Sequence, residues 1–135
     1  MPVTDDETLR EIVKLDPIAV VGCSTTAGKP AHDVPKLMHD NGYTIVPVNP
    51  YADEVFGLEA YDSLEEVEEE IPLVDVFRPS EETGPIVDAA AARDDVEAIW
   101  LQLGITNDEA GARAEAAGKR FVQDRCLKVE YQRLL

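Results

Sequence analysis

The stretch of sequence that decides the fold is Ile18-Ala-Val-Val-Gly-Cys-Ser-Thr-Thr-Ala-Gly-Lys-Pro30. Its first four residues are apolar without a break, which is typical of a strand buried on both faces. A loop of small residues follows, and the pattern after that loop is helical. A strand, a small-residue turn and a helix N-terminus are the backbone elements that hold a phosphate group. The stretch therefore predicts the first βα unit of a nucleotide-binding sheet.

The rest of the chain repeats this alternation of strand and helix patterns. The predicted strands are residues 18–21, 44–48, 73–77, 98–101 and 120–122. The predicted helices are residues 5–15, 31–41, 63–70, 81–93, 107–117 and 127–135. Such an alternation favours an α/β fold with a parallel sheet and right-handed crossovers. Because 135 residues suffice for one hydrophobic core, we expect residues 1–135 to form a single domain with a mainly parallel five-stranded sheet.

Local signals refine this prediction. Pro47 lies within the second strand, which places that strand at an edge of the sheet or the proline near the strand's end. Ser63 and Glu66 match a capping box and predict the acidic helix over 63–70. Asn107 is the expected N-cap of the helix that follows it. Residues 55–58 are predicted to be a linker.

The charge of the chain excludes two classes of partner. Twelve Lys and Arg residues stand against 28 Asp and Glu residues, so the formal net charge is −16. Such a surface repels nucleic acid and anionic lipid, and we expect neither as a partner. No apolar run is long enough to span a bilayer, and the N-terminus lacks the pattern of a signal peptide. These observations predict a cytoplasmic protein.

A ligand site is expected beyond the C-terminal ends of the strands, where the strand order reverses. Four loops end there, namely a first loop (residues 22–30), a second (49–51), a third (77–80) and a fourth (102–104). The first loop is neither a dinucleotide fingerprint, since Ser24 and Ala27 replace the required glycines, nor a P-loop. Its hydroxyls, backbone N–H groups and Lys29 are still able to hold a pyrophosphate. An ordinary polar loop is the alternative.

Five segments of the chain, in order, resemble the small stand-alone CoA-binding proteins. Their domain is similar to the N-terminal CoA-binding domain of the succinyl-CoA synthetase α subunit and of ADP-forming acyl-CoA synthetases. The segments are IAVVG (18–22), GYTIVPVNP (42–50), VDVFRP (74–79), WLQLG (100–104) and DRC (124–126). The resemblance covers about residues 15–130 and implies a Rossmann-like three-layer domain that binds CoA or acyl-CoA at the strand ends.

The resemblance also implies which residues bind the cofactor. They are Gly22, Cys23, Ser24, Thr25, Thr26, Lys29, Asn49, Pro50, Tyr51, Phe77, Arg78, Pro79, Gln102, Leu103 and Gly104. The first loop would hold phosphate, the second and third would border the adenosine part, and the fourth would line the pantetheine side. Residues 25–27 replace part of the basic or proline-rich character of the family's first loop. Phosphate binding would therefore depend more on N–H groups and Lys29.

No catalytic constellation is apparent in the sequence, so we expect a protein that binds CoA without catalysing a reaction on its own. The synthetases of the resemblance use a phosphorylated histidine from a later domain, and neither His32 nor His39 suits that role. His39 is expected on the solvated face of its helix, and His32 near a phosphate or in solvent. Asp124 is expected to pair with Arg125.

Two cysteines are expected to be free thiols. Cys23 and Cys126 follow predicted strands and have no metal-ligand spacing, so both are interpreted as packed thiols. The alternative is that one of them forms a mixed disulfide with the thiol of CoA.

Other assignments remain open. The chain could be a detached CoA-binding subunit that works with a separate synthetase-like chain in acyl-CoA metabolism. It could also be an NAD(H)-binding redox sensor, although Asn49 stands where the acidic ribose ligand is usual. A homodimer is conceivable through Trp100, Tyr131 and residues 134–135, although a core position suits Trp100 better.

The spread of acidic residues along the whole chain generates a first prediction. It suits a halophilic protein, such as an archaeal one, in very high salt, where repulsion between carboxylates is screened. We expect the free energy of unfolding, measured by urea titration at a series of KCl concentrations, to fall below roughly 1 M KCl. Full stability in dilute buffer would contradict the halophilic assignment.

Overall fold

A five-stranded parallel sheet forms the centre of the computed structural model, which describes residues 1–135. The strands are β1 (Ile18–Val21), β2 (Ile45–Val48), β3 (Glu54–Val55), β4 (Leu58–Glu59), β5 (Leu73–Val76), β6 (Ala98–Leu101) and β7 (Arg120–Val122). The helices are α1 (Asp6–Val13), α2 (Pro30–Asp40), α3 (Thr83–Ala91), α4 (Asp108–Ala116) and α5 (Leu127–Leu134). The sheet order is β2-β1-β5-β6-β7, and β3 and β4 form a separate antiparallel hairpin. The predicted α/β fold with a five-stranded parallel sheet is confirmed.

Two hydrophobic cores lie on opposite faces of this sheet. Successive residues of a strand point to opposite faces. In β1, Ala19 and Val21 belong to the core beneath α3 and α4, whereas Ile18 and Val20 belong to the core beneath α1, α2 and α5. The strands are therefore apolar at nearly every position, which is why continuous apolar runs predicted them correctly.

The two edge strands of the sheet are partly covered by the chain itself. Strand β2 is an edge strand and contains Pro47, as predicted. Its outer side forms one parallel bridge, between Val48 and Tyr61. At the opposite edge, the backbone N–H of Val3 donates a hydrogen bond to the carbonyl of Phe121 in β7 at 2.8 Å.

The predicted acidic helix over 63–70 is wrong. Only a single 3₁₀ turn forms there, at Leu64–Glu66, and the Ser63 side chain makes no capping hydrogen bond. The guanidinium of Arg93 donates to the carbonyls of Leu64 at 2.8 Å and Val67 at 3.1 Å. These carbonyls are therefore engaged by a distant side chain and not by the amides of a regular helix.

The predicted linker over 55–58 is also different in the structure, because it contains the β3–β4 hairpin. Phe56 and Gly57 form its turn with φ values of 33° and 83°, the left-handed conformation that two-residue hairpin turns require. The Phe56 ring lies 5.5 Å from the ring of His32 and 5.7 Å from that of His39. Packing of this ring against α2 fixes the hairpin to the body of the protein.

The remaining helices differ from their predicted bounds by a few residues. The segment predicted as a helix over 81–93 begins with a 3₁₀ turn, Ser80–Glu82, before α3. Asn107 caps α4 as predicted, since its side chain accepts a hydrogen bond from the N–H of Ala110 at 3.0 Å. None of the five helices combines the length and the apolar character needed to cross a membrane.

One acidic residue lies within the central sheet. Asp75 of β5 is completely buried, and neither of its carboxyl oxygens has a hydrogen-bond partner. Burial raises the pKa of Asp75 well above its ordinary value, since an isolated carboxylate is very costly in an apolar core.

Glycine at position 111 is required by the packing of α4 on β7. A methyl group there would meet the Phe121 ring, whose Cδ2 atom would lie 2.5 Å away. We expect Gly111→Ala to lower the free energy of unfolding by about 1–3 kcal/mol, because the ring has to move within a packed core. Gly84→Ala in α3 is the matched control, since its nearest neighbours would lie 3.9 Å away. Equal urea midpoints for the two variants would contradict this account of the packing.

The buried Asp75 predicts an unusual dependence of stability on pH. Its folded-state pKa lies above the unfolded value of about 4, so the folded state binds more protons between these two values. Stability therefore falls as the pH rises through this window. We expect the free energy of unfolding of wild type to drop relative to Asp75→Asn as the pH rises above the unfolded-state pKa. The exposed Asp53→Asn should follow wild type. Parallel curves for wild type and Asp75→Asn would refute the assignment.

Candidate functional site

A cavity of about 680 Å³ lies at the C-terminal ends of β1, β2 and β5. In the order of the sheet, β2 lies on one side of β1, and β5, the next strand of this sheet along the chain, lies on the other side of β1. The strand order therefore reverses between β1 and β5, and open α/β sheets bind ligands at such a point. The cavity is where the topology places a ligand.

The first three predicted loops meet in this cavity. The predicted ligand-binding residues that line it are Gly22, Ser24, Thr25, Lys29, Asn49, Pro50, Tyr51, Phe77 and Arg78. The predicted residues that do not line it are Cys23, Thr26, Pro79, Gln102, Leu103 and Gly104. The cavity thus brings together the first, second and third loops and leaves the fourth loop aside.

The cavity floor depends on a close approach of backbone at Gly22. This residue has a φ of 83°, and its N–H donates to the carbonyl of Val48 at 2.9 Å. A Cβ atom on Gly22 would lie 3.0 Å from Cδ of Arg78 and 3.1 Å from the carbonyl oxygen of Phe77. Both the conformation and the space favour glycine here. The absence of a side chain lets the ends of β1, β2 and β5 converge.

The first loop is folded onto the first turn of α2. The N–H of Gly28 donates to Oδ1 of Asp33 at 3.1 Å, and Nδ1 of His32 lies 2.8 Å from the same oxygen. The hydrogen bond with His32, which has the larger effect, and the one with Gly28 hold the pKa of Asp33 below its ordinary value. His32 is therefore engaged by Asp33 and Phe56, and its side chain is only 15% exposed. His39, predicted to lie in solvent, is partly covered by Phe56.

Several polar groups of the first loop and of the first turn of α2 are available to a ligand. The side-chain oxygen of Ser24 accepts a hydrogen bond from the N–H of Thr26 at 3.0 Å. The backbone N–H groups of Thr25 and Ala31, two lining residues, donate no hydrogen bond within the chain. Lys29 is the N-cap residue of α2 and also lines the cavity. Amides and a cation at a helix N-terminus favour an anion at this wall.

Asn49 of the second loop has a structural task that its sequence position did not reveal. Its side-chain amide donates to the carbonyl of Cys23 at 2.9 Å, and its Oδ1 accepts from the N–H of Tyr51 at 2.8 Å. The side chain therefore ties the second loop to the first. The Tyr51 side chain is 95% exposed at the rim of the cavity.

The charges around the cavity are mixed. Lys29 and Arg78 are its cationic side chains, and Asp62, Glu65 and Glu82 are its carboxylates. The sequence did not identify these acidic residues as part of a site, because acidic residues occur throughout the chain. Val21, Ala31 and Val48 directly flank the first two loops, and the further lining residues that were not predicted are Ser63, Leu64, Pro85, Ile86 and Ala89. Only the packing of residues 62–65 and of α3 over the strand ends brings them there.

The fourth loop is held on the side of β7 and α5. Oε1 of the buried Gln102 accepts a hydrogen bond from the N–H of Leu127 at 2.9 Å. The N–H of Gly104 donates to Oδ1 of Asp124 at 2.7 Å. Leu103, which lies between Gln102 and Gly104, is 68% exposed. These contacts hold the loop away from the cavity lining.

The predicted pair of Asp124 with Arg125 is wrong. The carboxylate of Asp124 binds the fourth loop at Gly104, as described above. Arg125 instead pairs with Glu130, with Nη1 3.2 Å from Oε1. Trp100 lies in the core, and its indole N–H donates to the carbonyl of Arg125 at 2.8 Å.

The two cysteines are free and differ in environment. Cys23 is completely buried, and burial, together with the nearby Asp75, raises the pKa of its thiol to about 12. Thiol–disulfide exchange requires the thiolate, so Cys23 is unsuited to a mixed disulfide at neutral pH. Cys126 is partly buried and directly precedes α5. No group of three or more His, Cys, Asp or Glu side chains is placed to hold a metal ion.

Comparison with known proteins matches most of the chain to one protein family. Residues 16–132 match a family model described as a CoA binding domain. The uncharacterized protein YneT of Bacillus subtilis is 40% identical over 114 residues, which are 84% of each chain. The ADP-forming acetate–CoA ligase of Methanocaldococcus jannaschii is 27% identical over 119 residues, which are 86% of this chain and 17% of the ligase. This chain therefore corresponds to less than a fifth of that ligase.

Solved structures agree with this relationship. A hypothetical protein from Pyrococcus horikoshii superposes with a TM-score of 0.92 at 34% identity, covering 99% of this chain and 96% of that chain. A Thermus thermophilus protein superposes with a TM-score of 0.90 at 36% identity, covering 98% of this chain and 100% of that one. Both are similar to this chain over nearly their whole length.

Proposed function

The chain belongs to the CoA-binding domain family, and from this membership we propose that it binds coenzyme A or an acyl-CoA in the cavity at the ends of β1, β2 and β5. The observation that carries the proposal is the position of this cavity at the reversal of strand order in a chain of this family. The ligand would be bound without chemical conversion by this chain alone.

The first loop supplies the groups that a pyrophosphate requires. The free N–H groups of Thr25 and Ala31, the hydroxyls of Ser24 and Thr25, and the ammonium of Lys29 all belong to one wall. Phosphate oxygens accept hydrogen bonds from such donors, and the N-terminus of α2 adds a favourable dipole. We therefore assign the phosphates of CoA to this wall.

The second and third loops supply the surfaces for the adenosine part. Tyr51 and Phe77 offer aromatic rings, and Pro50 and Ile86 add apolar surface. Planar bases bind readily against such side chains. The pantetheine arm would leave the cavity towards residues 102–104, whose assignment to this arm remains a prediction.

The hydroxyl of Ser24 in the first loop has no activating base beside it. Ser24 accepts its hydrogen bond from a backbone N–H, and no imidazole or amine lies at hydrogen-bonding distance from its oxygen. An activated hydroxyl nucleophile needs an adjacent base. The chain would therefore act in acyl-CoA metabolism as a binding protein.

A second candidate function is that of a detached subunit of an ADP-forming acyl-CoA synthetase. It is favoured by the 27% identity with one segment of the Methanocaldococcus jannaschii ligase. In that case the chain would co-purify with a larger synthetase-like chain and support acyl-CoA formation only in its presence. A chain isolated from its host without such a partner would favour the first candidate.

The binding proposal predicts a ligand-dependent thermal stabilisation. In about 2–3 M KCl, where an acidic protein of this kind is expected to be folded, CoA at 100 times its Kd should stabilise the protein by about 2.7 kcal/mol. Acetyl-CoA should act similarly, whereas NAD, NADP and ATP should have smaller effects. A shift with NAD alone would replace the proposal with a redox sensor. No shift with any of these compounds would refute ligand binding at this cavity.

A pair of lysine variants connects this stabilisation to the first loop. We expect Lys29→Gln to weaken CoA binding about three- to tenfold, measured by calorimetry, because a charge-assisted contact with phosphate is lost. Lys36→Gln is the matched control, since Lys36 lies on the same helix, pairs with Asp40 at 2.7 Å and does not line the cavity. Equal loss of affinity in both variants would attribute the effect to net charge and contradict the assigned wall.

A further inference from the structure

Arg78, the cation of the third loop, is already paired in the structure. Its Nη2 atom lies 2.9 Å from Oε1 and 3.1 Å from Oε2 of Glu82. Both side chains line the cavity, and both are about half exposed, at 45% and 47%. Glu82 therefore occupies a donor that an anionic group entering the cavity would otherwise meet.

The aliphatic part of the Arg78 side chain packs over Gly22, whereas its guanidinium forms hydrogen bonds with Glu82 alone. Its Cδ atom lies above Gly22, where it occupies the space that the missing side chain leaves. The guanidinium beyond this point makes hydrogen bonds with Glu82 alone. A rotation about the terminal bonds can therefore redirect the guanidinium without moving the strand ends.

We propose that Glu82 determines the anion affinity of the cavity by competing with the ligand's phosphate for Arg78. This inference rests on the proposed binding of CoA. When a phosphate group enters, the guanidinium exchanges a carboxylate for a phosphate, and Glu82 turns to solvent. The binding free energy that the ligand gains is only the difference between the ion pair of Arg78 with phosphate and that of Arg78 with Glu82. Ligand groups that bind a guanidinium no more tightly than a carboxylate does are therefore disfavoured.

The other charges of the lining add to this competition. With Asp62, Glu65 and Glu82, the lining holds three carboxylates against the two cations Lys29 and Arg78. Lys29 and Arg78 are therefore the two cations of the lining that can face a phosphate group of the ligand. Glu82 controls one of these two cations through a direct contact.

The test is a double-mutant cycle on CoA affinity with Glu82→Gln, Arg78→Gln and the double variant. Exposed ion pairs contribute about 0.2–1 kcal/mol, so releasing Arg78 in Glu82→Gln should raise the affinity about 1.4- to 5-fold. Glu81→Gln is the matched control, since it makes the same charge change at the adjacent residue, which does not line the cavity. Titrations use the lowest KCl concentration at which all variants remain folded, because salt screens this interaction.

Each outcome of the cycle decides the inference. A gain in Glu82→Gln that exceeds that of Glu81→Gln and disappears in the Arg78→Gln background supports it. A gain that persists without Arg78 means simple repulsion of phosphate by Glu82 and overturns it. Equal affinities of Glu82→Gln and Glu81→Gln also overturn it, while leaving CoA binding by wild type intact. Failure of every variant, including wild type, to bind CoA overturns the inference together with the proposed function.

Discussion

The structure depends on a parallel sheet that is buried on both faces and that ends, at β1, in a glycine with close backbone neighbours. The strands contribute alternate side chains to two separate cores, so five helices have to cover them. With both faces covered, the strand ends are where this architecture offers a crevice. At the end of β1, Gly22 leaves room for the Phe77 carbonyl and the Arg78 side chain beside the cavity that the three neighbouring loops share.

This constraint explains which elements could be predicted from the sequence. Strands buried on both faces are apolar at most positions, and this pattern was visible at β1, β2, β5, β6 and β7. The segment after Ser63 could not be predicted, because its backbone carbonyls are bound by Arg93, a residue distant in sequence. The hairpin around Phe56 was missed for a similar reason, since its stability depends on packing against two histidine rings of α2.

The site was predictable to the extent that topology decides it. The loops after β1, β2 and β5 converge because these strands are adjacent, whereas the loop after β6 is one strand further away and is held by Asp124 and the N–H of Leu127. The acidic lining residues were not predictable. In a chain of net charge −16, a carboxylate at a ligand site looks the same in sequence as one on the surface. The ion pair with Arg78 and its place in the cavity lining distinguish Glu82 from the adjacent Glu81.

The covered edges of the sheet limit how copies of this protein can associate. Exposed edge strands offer unpaired backbone groups that invite strand addition, and proteins commonly block them with proline or with other segments of chain. Here Pro47 and the bridge to Tyr61 interrupt one edge, and the N-terminal segment at Val3 interrupts the other. Sheet-to-sheet polymerisation is thereby opposed at both ends. At high ionic strength, which screens the repulsion between acidic surfaces, this backbone geometry still opposes edge-to-edge association of neighbouring molecules.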